Sequence, residues 1–449
     1  MSIDSKLSFL QASLRRFRNY ASAKGGNVTI IVALIMVPLA FSMGMGIDYT
    51  MATRRRDQLN GFADSAALAA VTPAMMAQPS TNAQTAARNM FLGQEATVTG
   101  VTYQPVDVVV TATDSAVGAT VTRRVTVTWN AASQVTFSTL LGINTIPITG
   151  TSVATSSVAP NIDFYLMLDT SPSMEIAATT AGINAMVSNT GAQGGCAFGC
   201  HESHPTAGDV AGNPNGEDNY TLARNLSVPL RIDLVNQATQ NLMGVAQTAE
   251  VDNNTSYRAA IYTVDAHFGT LQTLTSNLNT AQTAAARLAA LTMWSNNHLT
   301  SSNDTNNDED TYLDSGLSSI NGVMPVPGTG TKNAYDTPQE ILFIVSDSVN
   351  DENVSGTRRY YPISTNPTDW CTTIKNRGIR IAYLYTTYNP LPTNSWYNTY
   401  ISPEQSQIAP AAQGCASPGL YYEVNTNGDI SAALVALFQK AVGSARLLQ

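Results

Sequence analysis

Phe164-Tyr165-Leu166-Met167-Leu168 runs straight into Asp169-Thr170-Ser171-Pro172-Ser173, and this junction decides the fold. Five large apolar residues of β-forming character, followed at once by turn formers, read as a strand buried on both faces, as in the middle of a parallel sheet. Past the strand end, oxygen-bearing side chains recur at alternate positions. In an extended segment Asp169, Ser171 and Ser173 therefore point the same way. One carboxylate and two hydroxyls on one side of a loop suit a hard cation such as Mg²⁺, which keeps waters or an open position for a partner. Open α/β sheets also bind their ligands at the carboxyl ends of strands. A plainer alternative stands beside this one: Asp and Ser are good helix caps, and Asp169 and Ser171 would serve as such.

A second apolar run, Ile341-Leu342-Phe343-Ile344-Val345-Ser346, ends in Asp347, a carboxylate in the same topological place. Between the two runs, Thr311 opens a plausible helix and its hydroxyl could reach the same ion. This set resembles the von Willebrand factor type A domain and its metal-ion-dependent adhesion site. The resemblance implies an α/β, Rossmann-like domain with a mostly parallel sheet and helices on both faces. It also implies a divalent cation (Mg²⁺ or Mn²⁺, with Ca²⁺ a further candidate) held by Asp169, Ser171, Ser173, Thr311 and Asp347. A partner's acidic group would complete the shell. Where that family usually has Asp-Gly, this chain has Asp347-Ser348, so the turn there is expected to differ.

The chain has 449 residues, 43% of them hydrophobic, which fits two or three folded domains rather than wholesale disorder. Its net charge is −9. With basic residues concentrated near the N-terminus, nucleic acid is not an expected partner. Val28 to Ile47 is uncharged, mostly apolar and long enough to cross a bilayer. Lys6, Arg15, Arg16, Arg18 and Lys24 precede it and would stay in the cytoplasm, against the fewer Arg54, Arg55 and Arg56 that follow. The competing reading is a cleaved signal peptide, but the charged region is long for one and the apolar core extended. An uncleaved single-pass anchor is expected.

The span continues into an alanine- and leucine-rich run that favours helix, so span and stalk are expected to form one element. Gly25, Gly26, then Ile47-Asp48-Tyr49 and the run Ala63 to Ala70 resemble the TadE/TadG family of Flp (Tad) pilus-assembly proteins. The resemblance implies a pilin-like helix in the bacterial inner membrane, with the C-terminal part periplasmic or at the cell surface. The implied partners are Flp/Tad pilus components or an acidic protein ligand, in assembly, anchoring or adhesion; an envelope scaffold that makes no use of metal is the alternative. Ile31 stands where prepilin processing after Gly26 would want Glu, so cleavage is not expected.

The expected organisation is a basic tail (1–26), a span (27–47), a helical stalk (48–94), a small β-rich segment (95–158) and the A-like domain (160–449). The β-rich segment rests on Val/Thr alternation such as Val125-Thr126-Val127-Thr128. The domain rests on alternating strand and helix patterns. An insertion at 174–229 is too long for an ordinary connection. All four cysteines follow the span, and an even count in an oxidising compartment suggests two bridges, expected as Cys196–Cys200 and Cys371–Cys415. A cytoplasmic location would leave thiols instead. Zinc held by Cys196, Cys200, His201 and His204 is a weaker alternative and haem weaker still. Asp304, Asn306 and Asp308 space like calcium ligands but lack the EF-hand glycine and distal glutamate, so an acidic turn is expected. No Gly-x-Ser-x-Gly, Walker or His-Glu-x-x-His motif occurs, and an enzyme is not expected.

Overall fold

The computed structural model describes residues 26–104, 107–117, 120–203, 205, 217–293, 311–354, 357–364, 368–388, 390–391, 395 and 397–442. The basic tail, Gly25, His204, His298 and the acidic turn at 303–310 lie outside them. The described chain forms two compact units. One is built from residues up to Val71 together with 82–112 and 124–154; the other from 72–81, 113–123 and 155 onward.

In the first unit a single helix runs from Gly26 to Ala69, with Pro38 inside it. Its first half presents apolar side chains outward all round; Leu34 is 69% exposed. This half is long and apolar enough to cross a membrane. The second half is one-sided. Ala52, Leu59, Ala63, Ala66, Ala67 and Ala70 are buried at helical spacing, so small residues let the helix lie close to its neighbours. Most of the helix Ser80–Glu95 and of a four-stranded sheet made of β1 (Val101–Thr102), β2 (Val108–Val117), β3 (Thr120–Gln134) and β4 (Thr145–Val158) belongs to the same unit. The Val/Thr alternation predicts this sheet, and Val125, Val127 and Trp129 on β3 point into the core. Phe91 stacks on Trp129 with centroids 6.3 Å apart. Gly150 has no freedom to be larger: a Cβ there would sit 2.0 Å from Asn60 Oδ1 and 2.8 Å from the Trp129 ring.

The second unit is the α/β body. Its sheet contains β5 (Ile162–Asp169), β6 (Tyr257–Val264), β7 (Phe268–Thr275), β8 (Gln339–Ser346), β11 (Arg380–Thr386) and β12 (Tyr421–Val424); a separate hairpin forms from β9 (Val349–Val354) and β10 (Thr357–Pro362). The spatial order is β12-β11-β8-β5-β6-β7. All neighbours pair in parallel except β7, which returns antiparallel to β6 at the edge. In order of appearance this is a 3-2-1-4-5-6 sheet, whose order reverses beside its first strand, β5.

Both faces are covered, as the uninterrupted apolar runs require. Phe164, Leu166 and Leu168 face one core with the helices Arg231–Asp252, Leu278–Ala285 and Ile430–Val442. Tyr165 and Met167 face the other with Leu313–Val323, Trp370–Asn376 and Gln405–Cys415. Phe164 meets Tyr257, Phe343 and Phe438 at centroid distances of 5.1, 6.0 and 5.2 Å. The expected Cys371–Cys415 disulfide is present and ties two helices of the second layer.

At the amino end of the sheet Asp163 and Glu340 face each other across β5 and β8. Arg258 forms a two-pronged bond to Asp163, at 2.7 Å (Nε to Oδ1) and 2.5 Å (Nη2 to Oδ2). Glu340 is 1% exposed and has no hydrogen-bond partner for either oxygen. Burial, then the negative charge of Asp163, pushes its carboxyl up to about 8 from 4.5. The folded state therefore holds a proton that the unfolded chain has lost, and the stability this represents is full below about pH 4.5 and gone once pH has risen through about 8. Urea midpoints measured across that window should fall for the wild type relative to a Glu340→Gln variant. Parallel pH curves for the two proteins would contradict this.

Candidate metal-binding site

The carboxyl edge of the sheet brings the two sequence-predicted carboxylates together. Strands β5 and β8 pair with Leu168 opposite Val345, so both end at the same level and deliver Asp169 and Asp347 side by side. Both are 0% exposed. Asp169 is fully engaged: Oδ1 accepts from the Ser171 amide (2.9 Å) and hydroxyl (2.5 Å), and Oδ2 accepts from the Ser346 hydroxyl at 2.6 Å. The Ser171 and Ser173 hydroxyls lie 3.1 Å apart. Burial, and then the charge of Asp347, pushes the Asp169 carboxyl up to about 7, against the pull of its bonds from Ser171 and Ser346.

Asp347 is placed differently. Neither of its oxygens has a hydrogen bond. Its nearest opposite charge is Arg231, whose Nη1 lies 3.8 Å from Oδ2. Arg231 is itself 4% exposed; Nη2 donates to the Thr387 carbonyl at 2.6 Å and Nη1 has no hydrogen-bond partner. Burial raises the Asp347 carboxyl, while Arg231, the nearby Ser173 hydroxyl and the Val349 amide draw it down. An orphaned, fully buried carboxylate beside two hydroxyls is an oxygen donor set that fits a hard cation. It is not a cluster of acids and imidazoles: no group of three or more His, Cys, Asp or Glu side chains suited to a metal occurs among the described residues.

Thr311 is tied to this edge through main-chain bonds. It exchanges amide and carbonyl with Asp351 at 2.9 and 3.1 Å. The next residue, Tyr312, donates to the Asp265 carbonyl, and the Asp265 side chain accepts from Thr170 at 2.7 Å. Among the described residues, no side-chain hydrogen bond joins Thr311 to Asp169, Ser171, Ser173 or Asp347. The hairpin β9–β10, which supplies Asp351, directly follows Asp347 and was not expected from the sequence.

Ser348 resolves the question of the turn. Its φ is +72°, the left-handed region where glycine sits without penalty and other residues are strained by about 1–2 kcal/mol. Ser348 adopts this conformation although it is not glycine. Ser348 gains in exchange a 2.8 Å bond from its amide to Ser346 Oγ and a 2.8 Å contact between its hydroxyl and Tyr383.

Three partners escaped the sequence reading. Ser346 was read only as the end of a strand, though its place directly before Asp347 was a usable signal. Tyr383 and Arg231 carried none, since they reach the site only through the fold. The Cys196–Cys200 pairing is corrected: both are buried and the structure does not join them to each other. Phe198, between them, is held in a β-bridge to Ile176. His201 donates its amide to Glu175 at 3.1 Å from each oxygen, and its ring lies 3.1 Å from Asp218. It is thus engaged with carboxylates of and around the insertion.

Residues 26–78 match the family model for Flp pilus-assembly TadE/G-like proteins. The N-terminal segment of this chain is TadE/G-like. No curated protein matches the chain. Among solved structures it is similar to the von Willebrand factor domain of the type V pili tip protein Mfa5 from Porphyromonas gingivalis, at 9% identity and a TM-score of 0.34, covering 64% of this chain and 98% of that one. It is also similar to BatB from Bacteroides thetaiotaomicron (10% identity, TM-score 0.31, 63% and 100% covered). A third is the pilus adhesin SpaC from Lactobacillus rhamnosus GG (13% identity, TM-score 0.33, 74% and 34% covered). The TadE/G-like match ends at residue 78, well before Asp169.

The strained turn can be tested directly. Ser348→Gly should stay within about 1 kcal/mol of wild type in urea unfolding, because relief of strain offsets the lost hydroxyl bond. Ser348→Val, which keeps the strain and loses the bond, should cost about 2–4 kcal/mol. Equal losses in both variants would contradict the account.

Proposed function

We propose that this is a single-pass protein of the bacterial inner membrane that works in Flp/Tad pilus assembly or adhesion. In this reading the C-terminal α/β unit is a von Willebrand A-like domain, periplasmic or at the cell surface, that engages an acidic group on a pilus component or other protein through a divalent cation. The TadE/G-like segment and the apolar helix support the anchoring and the association with pili. The 3-2-1-4-5-6 strand order supports the domain assignment. The observation that carries the binding claim is Asp347: fully buried, with both oxygens lacking hydrogen bonds, beside Asp169 and the paired hydroxyls of Ser171 and Ser173.

Mg²⁺ or Mn²⁺, with Ca²⁺ less suited to so small a donor set, would supply charge to offset the two carboxylates and an open position for a partner's acid. The residues have separable parts in this. Asp347 and the hydroxyls of Ser171 and Ser173 would hold the ion, with Thr311 at the rim. Asp169 orients Ser171 and is itself oriented by Ser346. The serines act here as ligands and not as nucleophiles, and no catalytic step is assigned.

One observation favours a second reading, a structural scaffold that does without metal. Arg231 already brings a positive charge to within 3.8 Å of Asp347. A buried pair of this kind can be self-sufficient, and breaking one costs about 3–5 kcal/mol.

Thermal unfolding of the full chain in detergent, with and without Mg²⁺ or Mn²⁺, separates the two. A ligand that binds only the folded state raises its stability by about 2.7 kcal/mol at a hundred times its Kd. The metal reading predicts a cation-dependent rise in Tm for the wild type, its loss in Asp347→Asn, and a larger rise in Arg231→Met, where the cation replaces the missing guanidinium. No rise in any of the three would leave the scaffold.

A further inference from the structure

The helix Gly26–Ala69 carries a second apolar feature just past its span. Asp48 is 3% exposed, and its carboxylate accepts four hydrogen bonds from one loop. The donors are the amides of Thr136 (2.9 Å), Phe137 (3.0 Å) and Ser138 (2.7 Å) and the hydroxyl of Ser138 (2.8 Å). One turn earlier, Gly44 lies directly beneath Phe137. A Cβ at Gly44 would be 2.6 Å from that of Phe137, so the missing side chain is what lets the loop touch the helix. Two turns later, Arg55 donates to Ser133 Oγ at 2.8 Å and to the Gln134 carbonyl at 2.7 Å. The helix therefore holds the loop at two levels and the end of β3 that leads into it at a third.

What the loop then presents is apolar. Phe137 (42%), Leu140 (74%), Leu141 (53%) and Ile143 (46%) are all exposed, although connecting segments are normally polar. A buried carboxylate and a bare glycine hold in place four apolar side chains that stay between 42% and 74% exposed. Exposed apolar patches of this kind mark binding surfaces. On the helix beside this tie, Met43, Ile47 and Tyr49 are exposed as well.

Its depth identifies the partner. Val28 to Ile47 makes 20 residues, about 30 Å of helix, which matches the hydrocarbon thickness of a bilayer. Asp48 is the next residue, so the loop bound to it stands at the boundary between acyl chains and headgroups. Tyr49 belongs at that level, and the exposed Arg54 and Arg56 a turn further on suit headgroup phosphates. We propose that residues 137–143 form a second, non-spanning membrane contact, with Phe137, Leu140, Leu141 and Ile143 inserted in the interface of the leaflet from which the helix emerges. The partner is the lipid itself. The contact sets the rotation and tilt of the helix, which a uniform apolar cylinder cannot do alone. This rests on the reading of 28–47 as a span.

The test uses the full chain in phosphatidylethanolamine/phosphatidylglycerol nanodiscs, with an environment-sensitive fluorophore on Leu140→Cys or, separately, on Leu34→Cys. The native cysteines are buried or disulfide-bonded and should not take the label. Lipids with a quencher near the headgroup should extinguish the Leu140 probe, and lipids quenched at mid-chain the Leu34 probe, with both emissions shifted to the blue. An aqueous, unquenched Leu140 probe beside a quenched Leu34 probe overturns the loop contact and leaves the span intact. A blue-shifted Leu140 probe that no lipid quencher reaches assigns the patch to protein and also overturns it. If both probes report water, the span fails and the loop contact fails with it.

Discussion

Two carboxylates close neighbouring strands of a sheet whose faces are both buried, and the carboxyl edge is arranged around keeping them there. The charge of Asp347 raises the affinity of Asp169 for a proton, so the two carboxylates repel where they are buried. The chain meets this repulsion in two ways. Asp169 is surrounded by donors, from Ser171 and Ser346, and its affinity for a proton is raised. Asp347 has no hydrogen bond on either oxygen, although the Ser173 hydroxyl and the Val349 amide lie near enough to draw it down, and it is faced by Arg231. The asymmetry divides the work: one carboxylate organises the loop and the other keeps its lone pairs available.

The insertion at 174–229 belongs to the same account. It leaves the site just past Ser173 and returns through a bridge between Ala177 and Leu230, with the Arg231 amide bonded to the Ile176 carbonyl at 3.1 Å. The long excursion thus ends by delivering a guanidinium to the place where the loop began. The helix Arg231–Asp252 that follows buries its apolar side against β5 and β6. Arg231 is therefore held by the packing of a 22-residue helix, and moving it aside means shifting its side chain alone.

Much of this was legible in the sequence. Strands β5 and β8 are uninterrupted apolar runs because both their faces are covered. The acids and hydroxyls that close them stand out because nothing polar precedes them. The Val/Thr alternation of β3 and the small-residue stripe at 63–70 likewise follow from one-sided burial. What the sequence hid depends on contacts between distant segments. Arg231 lies 116 positions from Asp347, and nothing local marks it. Ser348 looked like a departure from Asp-Gly, yet its hydroxyl and amide bonds hold it in a glycine-like turn. Proximity in sequence suggested Cys196–Cys200, whereas the structure leaves the two buried and not joined to each other. Nothing near Phe137 in the sequence marks its loop's tie to Asp48, which spans some 90 residues.

The most direct test of the central claim is anomalous diffraction from crystals of the protein grown with Mn²⁺. The account predicts a manganese peak bounded by Asp347 and the hydroxyls of Ser171 and Ser173, with the Arg231 guanidinium displaced from its 3.8 Å contact. An ordered Arg231 still facing Asp347, and no peak at the sheet edge under saturating Mn²⁺, would contradict it.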